Sequence, residues 1–365
     1  MPTIVRGDSY IHFEFPELEN ALQKLGERHA EAVLPRILQE KLVASLALLI
    51  RREFTWVPAE AVRQWESRLG GMTAQRVAEH LRDTVRNQIT NLPVRLALAF
   101  ARSVRHARVD WMTPPPAHLG YFPLRRTDEF YDRVSGGWPG GAGVLIPMYR
   151  AEAMRLVFSS RYSFAVKVAV GGTNAINGQP WSPGLPRVPQ GYVVVPEQPN
   201  LDGWHTESGG MEQFLPGWTG ESAGRKEAGL EPEAAGLRIE VVPCAAEAYF
   251  EKLLAPQLVH SFEDLLRELI SGGSVFSSVI PGRPAKGVVA ALKSRPCQGL
   301  CADSWAAEAW DLPRAASTRV HLCDSDQWHR ITGERLPGLP FTAAYHGSLG
   351  LPRMDYREDD FKTAG

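Results

Sequence analysis

The stretch Leu92-Pro93-Val94-Arg95-Leu96-Ala97-Leu98-Ala99-Phe100-Ala101 decides how the first third of this chain is read. Leu92, Val94, Leu96, Leu98 and Phe100 alternate, the two-residue period of a strand with one buried face. Ala97, Ala99 and Ala101 fill positions between and beside them, and alanine is the strongest helix former. The context tips the balance. Upstream, Leu34, Leu38, Leu42, Leu46 and Ile50 recur every four residues along one side of a helix. Pro58 suits a first-turn position ahead of Val62, Trp65 and Leu69, and Gly70-Gly71 closes that segment. Thr73 fits as the N-cap of a helix carrying Val77, Leu81, Val85, Ile89 and Leu92 on one stripe. After three helical patterns the stretch reads as a further helix, started or kinked by Pro93. Residues 1–112 then form an all-helical unit.

Pro114-Pro115-Pro116 marks a change of texture, because a proline triplet cannot continue a helix. Beyond it short β-rich runs appear at 143–147, 163–170, 192–196 and 237–243. Residues 199–236 hold eight glycines and no sustained periodicity, which suits exposed loop or short hairpins. Helical signals return from Ala245, with Ser261 and Asp264 spaced as a capping box and Gly272-Gly273 as a stop. Residues 318–323 read as a strand, and Asp324 with Gln327 caps a short helix that Gly333 ends. The expected fold is α+β: an N-terminal all-helical unit, then a mixed region centred on a mostly antiparallel β-sheet. The domains are a helical one at 1–112, a β-rich one at 113–245, and a mixed α/β part at 246–365 packed on the β-rich domain.

Composition bounds the class. Of 365 residues, 44% are hydrophobic and 22% charged, enough apolar material for a real core. Lys and Arg number 40 against 41 Asp and Glu, which argues against a polyelectrolyte partner held by bulk charge. Residues 51–108 carry eleven arginines and five acidic residues, but neither interleaved aromatics nor a helix-turn-helix accompanies them. They read as a solvated helix face, and nucleic acid is not an expected partner. The longest apolar run, 42–50, is interrupted by Ser45 and far too short for a membrane span. Residues 1–10 contain Arg6 and Asp8 and no apolar core, so a secretory signal is not expected. Four cysteines make no disulfide framework, and a cytoplasmic home follows.

Gly220-Glu221-Ser222-Ala223-Gly224 matches the esterase nucleophile pattern G-x-S-x-G. That pattern works only between a buried strand and a helix, and Leu215-Pro216-Gly217-Trp218-Thr219 is no buried strand. It is a decoy. Gly136-Gly137-Trp138-Pro139-Gly140-Gly141 lacks the Lys-Ser/Thr ending of a phosphate loop and reads as a turn. Cys297, Cys301, His321 and Cys323, with His329 nearby, offer zinc-type ligands, but the three-residue gap between the first two is not a zinc knuckle. Buried thiols explain them without a metal, and no cofactor is expected.

A polar cluster in the β-rich region remains: Lys167, Asn174, Asn177, Gln190, Gln198, Asp202, His205, Glu212 and Gln213. Amides, Asp and Gly are also what turns are made of. Trp181, Trp204 and Trp218 fall in turn-rich sequence, where a wide aromatic can line a groove.

The chain from Pro114 to about Tyr356 also resembles a family of uncharacterised bacterial and fungal proteins. The blocks that carry the likeness are Leu119-Gly120-Tyr121-Phe122-Pro123-Leu124, Leu145-Ile146-Pro147-Met148-Tyr149-Arg150, Glu152-Ala153-Met154 and Ala165-Val166-Lys167-Val168-Ala169-Val170-Gly171. They continue with Asn174-Ala175-Ile176-Asn177-Gly178-Gln179-Pro180-Trp181, Gln198-Pro199-Asn200-Leu201-Asp202-Gly203, Trp310-Asp311, Val320-His321-Leu322 and Gln327-Trp328. The resemblance implies no activity, cofactor or catalytic residue. Members usually have tryptophan where this chain has Asn200 and arginine where it has Glu212, so a ligand held there would differ.

The functional expectation is a non-catalytic binding or assembly protein. An aromatic, amide-lined groove built from Asn174, Asn177, Trp181, Gln198, Asp202, Trp204 and Gln213 would meet a protein or small-molecule partner, and self-association is expected of the helices. The alternative is an enzyme using acid–base chemistry around Asp202, Glu212 and Lys167 on a small molecule. Convergence decides between them, since a catalytic set must reach one pocket.

Overall fold

The computed structural model describes residues 2–37, 60, 79, 83, 87, 89, 92–104, 118–133, 143–149, 152–205, 211–214, 236–256 and 300–336. The chain divides into two units, each assembled from separated lengths of sequence. The first gathers Met1–Phe15, Val94–Cys244 and Lys293–Gly365, and the second Pro16–Pro93 and Ala245–Leu292.

The first unit begins with a hairpin of β1 (Thr3–Arg6) and β2 (Tyr10–Glu14). Next in the chain come β3 (Arg95–Val104), β4 (His118–Tyr121), β5 (Arg125–Arg126), β6 (Gly143–Pro147) and β7 (Glu152–Ser159). Short strands follow β8 (Phe164–Val170): β9 (Thr173–Asn174), β10 (Val193–Val195), β11 (Asn200–Leu201), β12 (Gly203–His205) and β13 (Met211–Gln213). β14 (Leu237–Pro243) and β15 (Ala316–Cys323) complete the set.

One sheet runs β1-β2-β3-β7-β11, with β4 also on β3. A second runs β10-β8-β14-β15-β6-β5, with β9 on β8, and β12 pairs with β13 separately. Among the described strands every pairing is antiparallel except β15 with β6. Apolar residues at alternate positions explain the faces: Val166, Val168, Ile239, Val241 and Val320 are buried, as are Ile11, Phe13, Leu96, Leu98 and Phe100 of the first sheet.

The all-helical N-terminal unit is therefore overturned. Two strands precede the first helix, and the stretch around Leu96–Phe100 is strand β3. β3 is hydrogen-bonded on both edges, to β2 and to β7, so its backbone groups are satisfied along most of its length. Its Leu96, Leu98 and Phe100 are fully buried, each contributing about 1.5–3 kcal/mol, whereas alanine's helix preference amounts to under about 1 kcal/mol per residue. The alternation carried the information, and the alanines occupy the other face. The helical patterns at 38–50, 58–69 and 73–92 lie outside the described residues, apart from helical positions Glu60, Glu79, Asp83, Asn87 and Ile89 and from Leu92, which is not helical. The proline triplet, the glycine turn at 136–141 and the Ser261–Asp264 box also lie outside them.

In the second unit α1 (Pro16–Ile37) starts at a proline with Glu17 and Glu19 in its first turn, where acidic charge suits the helix dipole. Leu18 and Leu22 are buried. α2 (Ala246–Tyr249) runs on into a π-turn at Phe250–Leu254, whose Phe250 ring meets His29 of α1 edge-on at 5.3 Å. Back in the first unit, α3 (Ser325–Thr332) is capped reciprocally. The Gln327 N–H donates to Asp324 at 2.9 Å and the Asp324 N–H donates to the Gln327 side chain at 3.3 Å. Gly333, with φ of 78°, follows the helix. Trp328 of α3 packs on Leu145 and Cys323. Among the described residues no helix is long and apolar enough to cross a membrane.

Candidate functional site

Lys167 organises one region. It lies on β8 among valines and alanines, and its side chain is 0% exposed. A buried ammonium must use its donors, and this one does: it donates to the carbonyls of Ser182 and Gly184, both at 2.7 Å, and stands 3.5 Å from a Glu240 oxygen. Burial lowers its pKa, while Glu240 works in the opposite direction. The Trp181 ring covers the ammonium with its centroid 3.9 Å away, and the Arg238 guanidinium lies 4.9 Å from the same centroid.

The turn that delivers Trp181 is built by asparagines. Asn174 accepts from the Ile176 N–H at 2.9 Å and donates to the Gly191 carbonyl at 2.8 Å. Asn177 accepts from the Gln179 N–H at 3.1 Å and donates to the Pro189 carbonyl at 3.1 Å. Gly191 has to be glycine, because a Cβ there would lie 2.8 Å from both amide nitrogens and 2.6 Å from Pro186. The Trp181 N–H then donates to the Gly172 carbonyl at 2.8 Å, leaving its indole half-buried over the second sheet. Both asparagine amides are thus committed to backbone.

Residues directly opposite one another on paired strands share a face. Glu240 is opposite Lys167, and Arg238 is opposite both Ala169 and Arg319. Lys167, Glu240, Arg238 and Arg319 therefore form one charged face, with Arg238 38% exposed and 3.8 Å from Glu240.

A second cluster centres on Asp303, which the sequence reading missed. Its carboxylate is 3% exposed and accepts from the Tyr192 hydroxyl at 2.6 Å, the Trp310 indole at 3.0 Å and the Trp305 N–H at 2.8 Å, with Arg187 at 3.3 Å. Gln190 accepts from the Asp303 N–H and donates to the carbonyls of Tyr192 and Cys301, while Gln198 accepts from the Cys301 N–H. Burial, then the Asp303 bond, pushes the Tyr192 hydroxyl pKa upward. These groups fix a loop; each donor already has its acceptor.

The remaining sequence candidates scatter. Asp202 is half-buried and ion-paired with Arg155 of β7. Glu212, on β13, is exposed opposite buried Trp204 of β12, and Gln213 is buried. Gly203 lets those two strands close up, since a Cβ would fall 2.3 Å from the Glu212 carbonyl oxygen. Lys167 and Asp202 thus have different partners on different sheets. Asn200, on β11, is half-exposed.

The thiols are also apart. Cys301 contacts the Glu197 carbonyl at 3.7 Å, and Cys323 donates to the Ile146 carbonyl at 3.5 Å beneath α3. Burial raises the Cys323 pKa strongly, which opposes the thiolate a metal needs. His321 is buried on the same strand, and the His329 ring meets the Glu334 carbonyl at 3.2 Å. Among the described residues no three His, Cys, Asp or Glu side chains come close enough to hold a metal ion. Cys297, Trp218 and the Gly220–Gly224 pattern lie outside the described residues.

No known protein family, no curated protein and no solved structure matches this chain.

Proposed function

We propose that this is a non-catalytic binding or assembly protein of the cytoplasm, whose first unit presents the Trp181 face to a protein or small-molecule partner. The observation that carries the reading is the half-buried Trp181 ring, fixed by a turn whose asparagines each donate and accept a backbone bond, beside the half-exposed guanidinium of Arg238. A preorganised aromatic next to arginine is the side-chain pair that anchors interfaces. The Asn174 and Asn177 amides support this face by holding its turn. Acid–base chemistry has less support, because the Lys167 ammonium is caged by carbonyls and Glu240, Asp202 is paired with Arg155, and Glu212 faces solvent. The thiols of Cys244, Cys301 and Cys323 suit a reducing compartment. Nucleic acid is not part of the proposal.

Trp181→Ala and Arg238→Gln test it, with folding checked by circular dichroism. Self-association is read by sedimentation velocity, and any protein captured by the wild type is rebuilt from purified components. Loss of association in both variants supports the reading. Association unchanged in Trp181→Ala, or a chemical turnover abolished by Asp202→Asn, overturns it.

A further inference from the structure

A cleft of about 480 Å³ lies elsewhere in the first unit, between the turn after β1 and the segment around β5. Arg6, Asp8, Leu124, Arg125, Arg126 and Glu129 line it. Its volume falls in the range of small-molecule sites. The Asp8 carbonyl accepts from the Leu124 N–H at 2.7 Å, which fixes one wall to the other. Thr127 locks the far side, accepting from the Gly143 N–H at 2.7 Å.

The charges in this cleft fall into two groups. Arg125 is neutralised by Glu334 through two bonds of 3.1 Å, and Arg126 by Asp128 through a bidentate pair. Arg6 has no such partner. Its Nε is buried and makes no hydrogen bond among the described residues, although the Asp128 carboxylate is near enough to feel its charge. Asp8 and Glu129 are exposed and have no ion pair among the described residues. Arg6, Asp8 and Glu129 therefore line a single cleft without an ion pair among the described residues, although Glu129 is near enough to act on the Arg126 charge.

The geometry points to a binding site for a small zwitterion of the amino-acid class, a free α-amino acid or a dipeptide. Arg6 takes the ligand carboxylate through the N–H donors of its two terminal nitrogens, its Nε being buried. Asp8 and Glu129 take the ammonium. The same carboxylates repel a phosphate or a dicarboxylate, so a simple anion is the wrong ligand. Leu124 and Val144 border the cleft but are buried, so recognition rests on the charged groups.

Calorimetry on the full chain with L-leucine, leucyl-leucine, L-leucinamide, N-acetyl-L-leucine and sodium acetate tests this, after a thermal-shift screen of the twenty amino acids at millimolar concentration. The expected result is binding that amidation and N-acetylation each weaken by about tenfold or more. Leucine against leucyl-leucine distinguishes a free amino acid from a dipeptide. Arg6→Gln should bind leucine no better than leucinamide, and Glu129→Gln, at an exposed position, should lose preference for leucine over its N-acetyl form. No binding by any amino acid or dipeptide, acetate binding as tightly as leucine, or unchanged affinity in Arg6→Gln would each overturn the proposal.

Discussion

Replacing Lys167 with methionine keeps the length of the side chain and removes its charge and donors. Two carbonyls, those of Ser182 and Gly184, lose bonds of 2.7 Å, and at about 1 kcal/mol each for partly buried acceptors this costs about 2 kcal/mol. The Trp181 ring loses a cation 3.9 Å from its centroid, about another 1 kcal/mol. Glu240 loses one counter-charge but keeps Arg238 at 3.8 Å, so its share is smaller. Methionine offsets part of the loss, because it buries no ammonium. The net expectation is destabilisation of about 2–3 kcal/mol. Urea unfolding followed by circular dichroism measures it. A Trp181→Phe background isolates the ring contact, and a coupling of about 1 kcal/mol is expected between the two substitutions. A Lys167→Met loss below about 0.5 kcal/mol would refute the argument that the ammonium organises this turn.

Asp303→Asn places an amide where three donors and Arg187 converge, and should cost about 3 kcal/mol in unfolding free energy; a shift within error would show the cluster is incidental. Burial lowers the pKa of His29, and burial followed by the Arg95 charge lowers that of His12. Below the ordinary value of 6.5 the unfolded chain takes up protons that the folded chain refuses, so stability should fall as pH drops through that value and level off below the folded values. Melting scans across this range should show the fall, reduced in His29→Gln, and a melting temperature that rises on acidification would contradict it. Arg319 stands directly opposite Arg238, and Arg319→Thr should be neutral or raise stability by up to about 0.5 kcal/mol, whereas a loss above about 1 kcal/mol would mean Arg319 has a structural partner. Metal analysis of the dialysed protein should find zinc far below one equivalent, with no effect of chelator on melting. Near-stoichiometric zinc that disappears in Cys323→Ser would defeat this.

How much of the fold the sequence discloses depends on the range of the interaction that decides it. The reciprocal Asp324–Gln327 cap is a three-residue affair, and the spacing alone displays it. Strand β3 displays its period just as openly, in Leu96, Leu98 and Phe100, but the vote between period and alanine content is cast by β2 and β7, about 85 residues before and 50 after it. The hairpin of β1 and β2 is in the same position. Ile11 and Phe13 alternate, yet their burial depends on β3, which returns only after the whole of the first insertion into the second unit. A chain that leaves a unit and comes back conceals its sheet order from any local reading.

The candidate site divides along the same line. Asn174 and Asn177 act within their own turn, and turn chemistry is what their composition signals. Asp303 carries no comparable mark, since its partner Tyr192 lies 111 residues away. Lys167 is conspicuous as a lone charge in a run of valine and alanine, but sequence cannot separate a caged cation from a catalytic one. The structure adds its surroundings: both short bonds go to carbonyl oxygens, with the Glu240 carboxylate 3.5 Å away, an arrangement that supports a holding role for the ammonium. The same test sorts the other charges. Glu152, buried and forked by Arg102 at 3.0 and 2.5 Å, and Asp303, surrounded by donors, are complete and serve the fold. Arg6 and Arg319 have no ion pair among the described residues, Arg6 lining a cleft and Arg319 standing opposite Arg238 beside the Trp181 face. Unanswered charge close to an apolar or aromatic surface contributes nothing to the folded chain alone, and it is there that a ligand or partner can add stabilisation that the protein does not supply for itself.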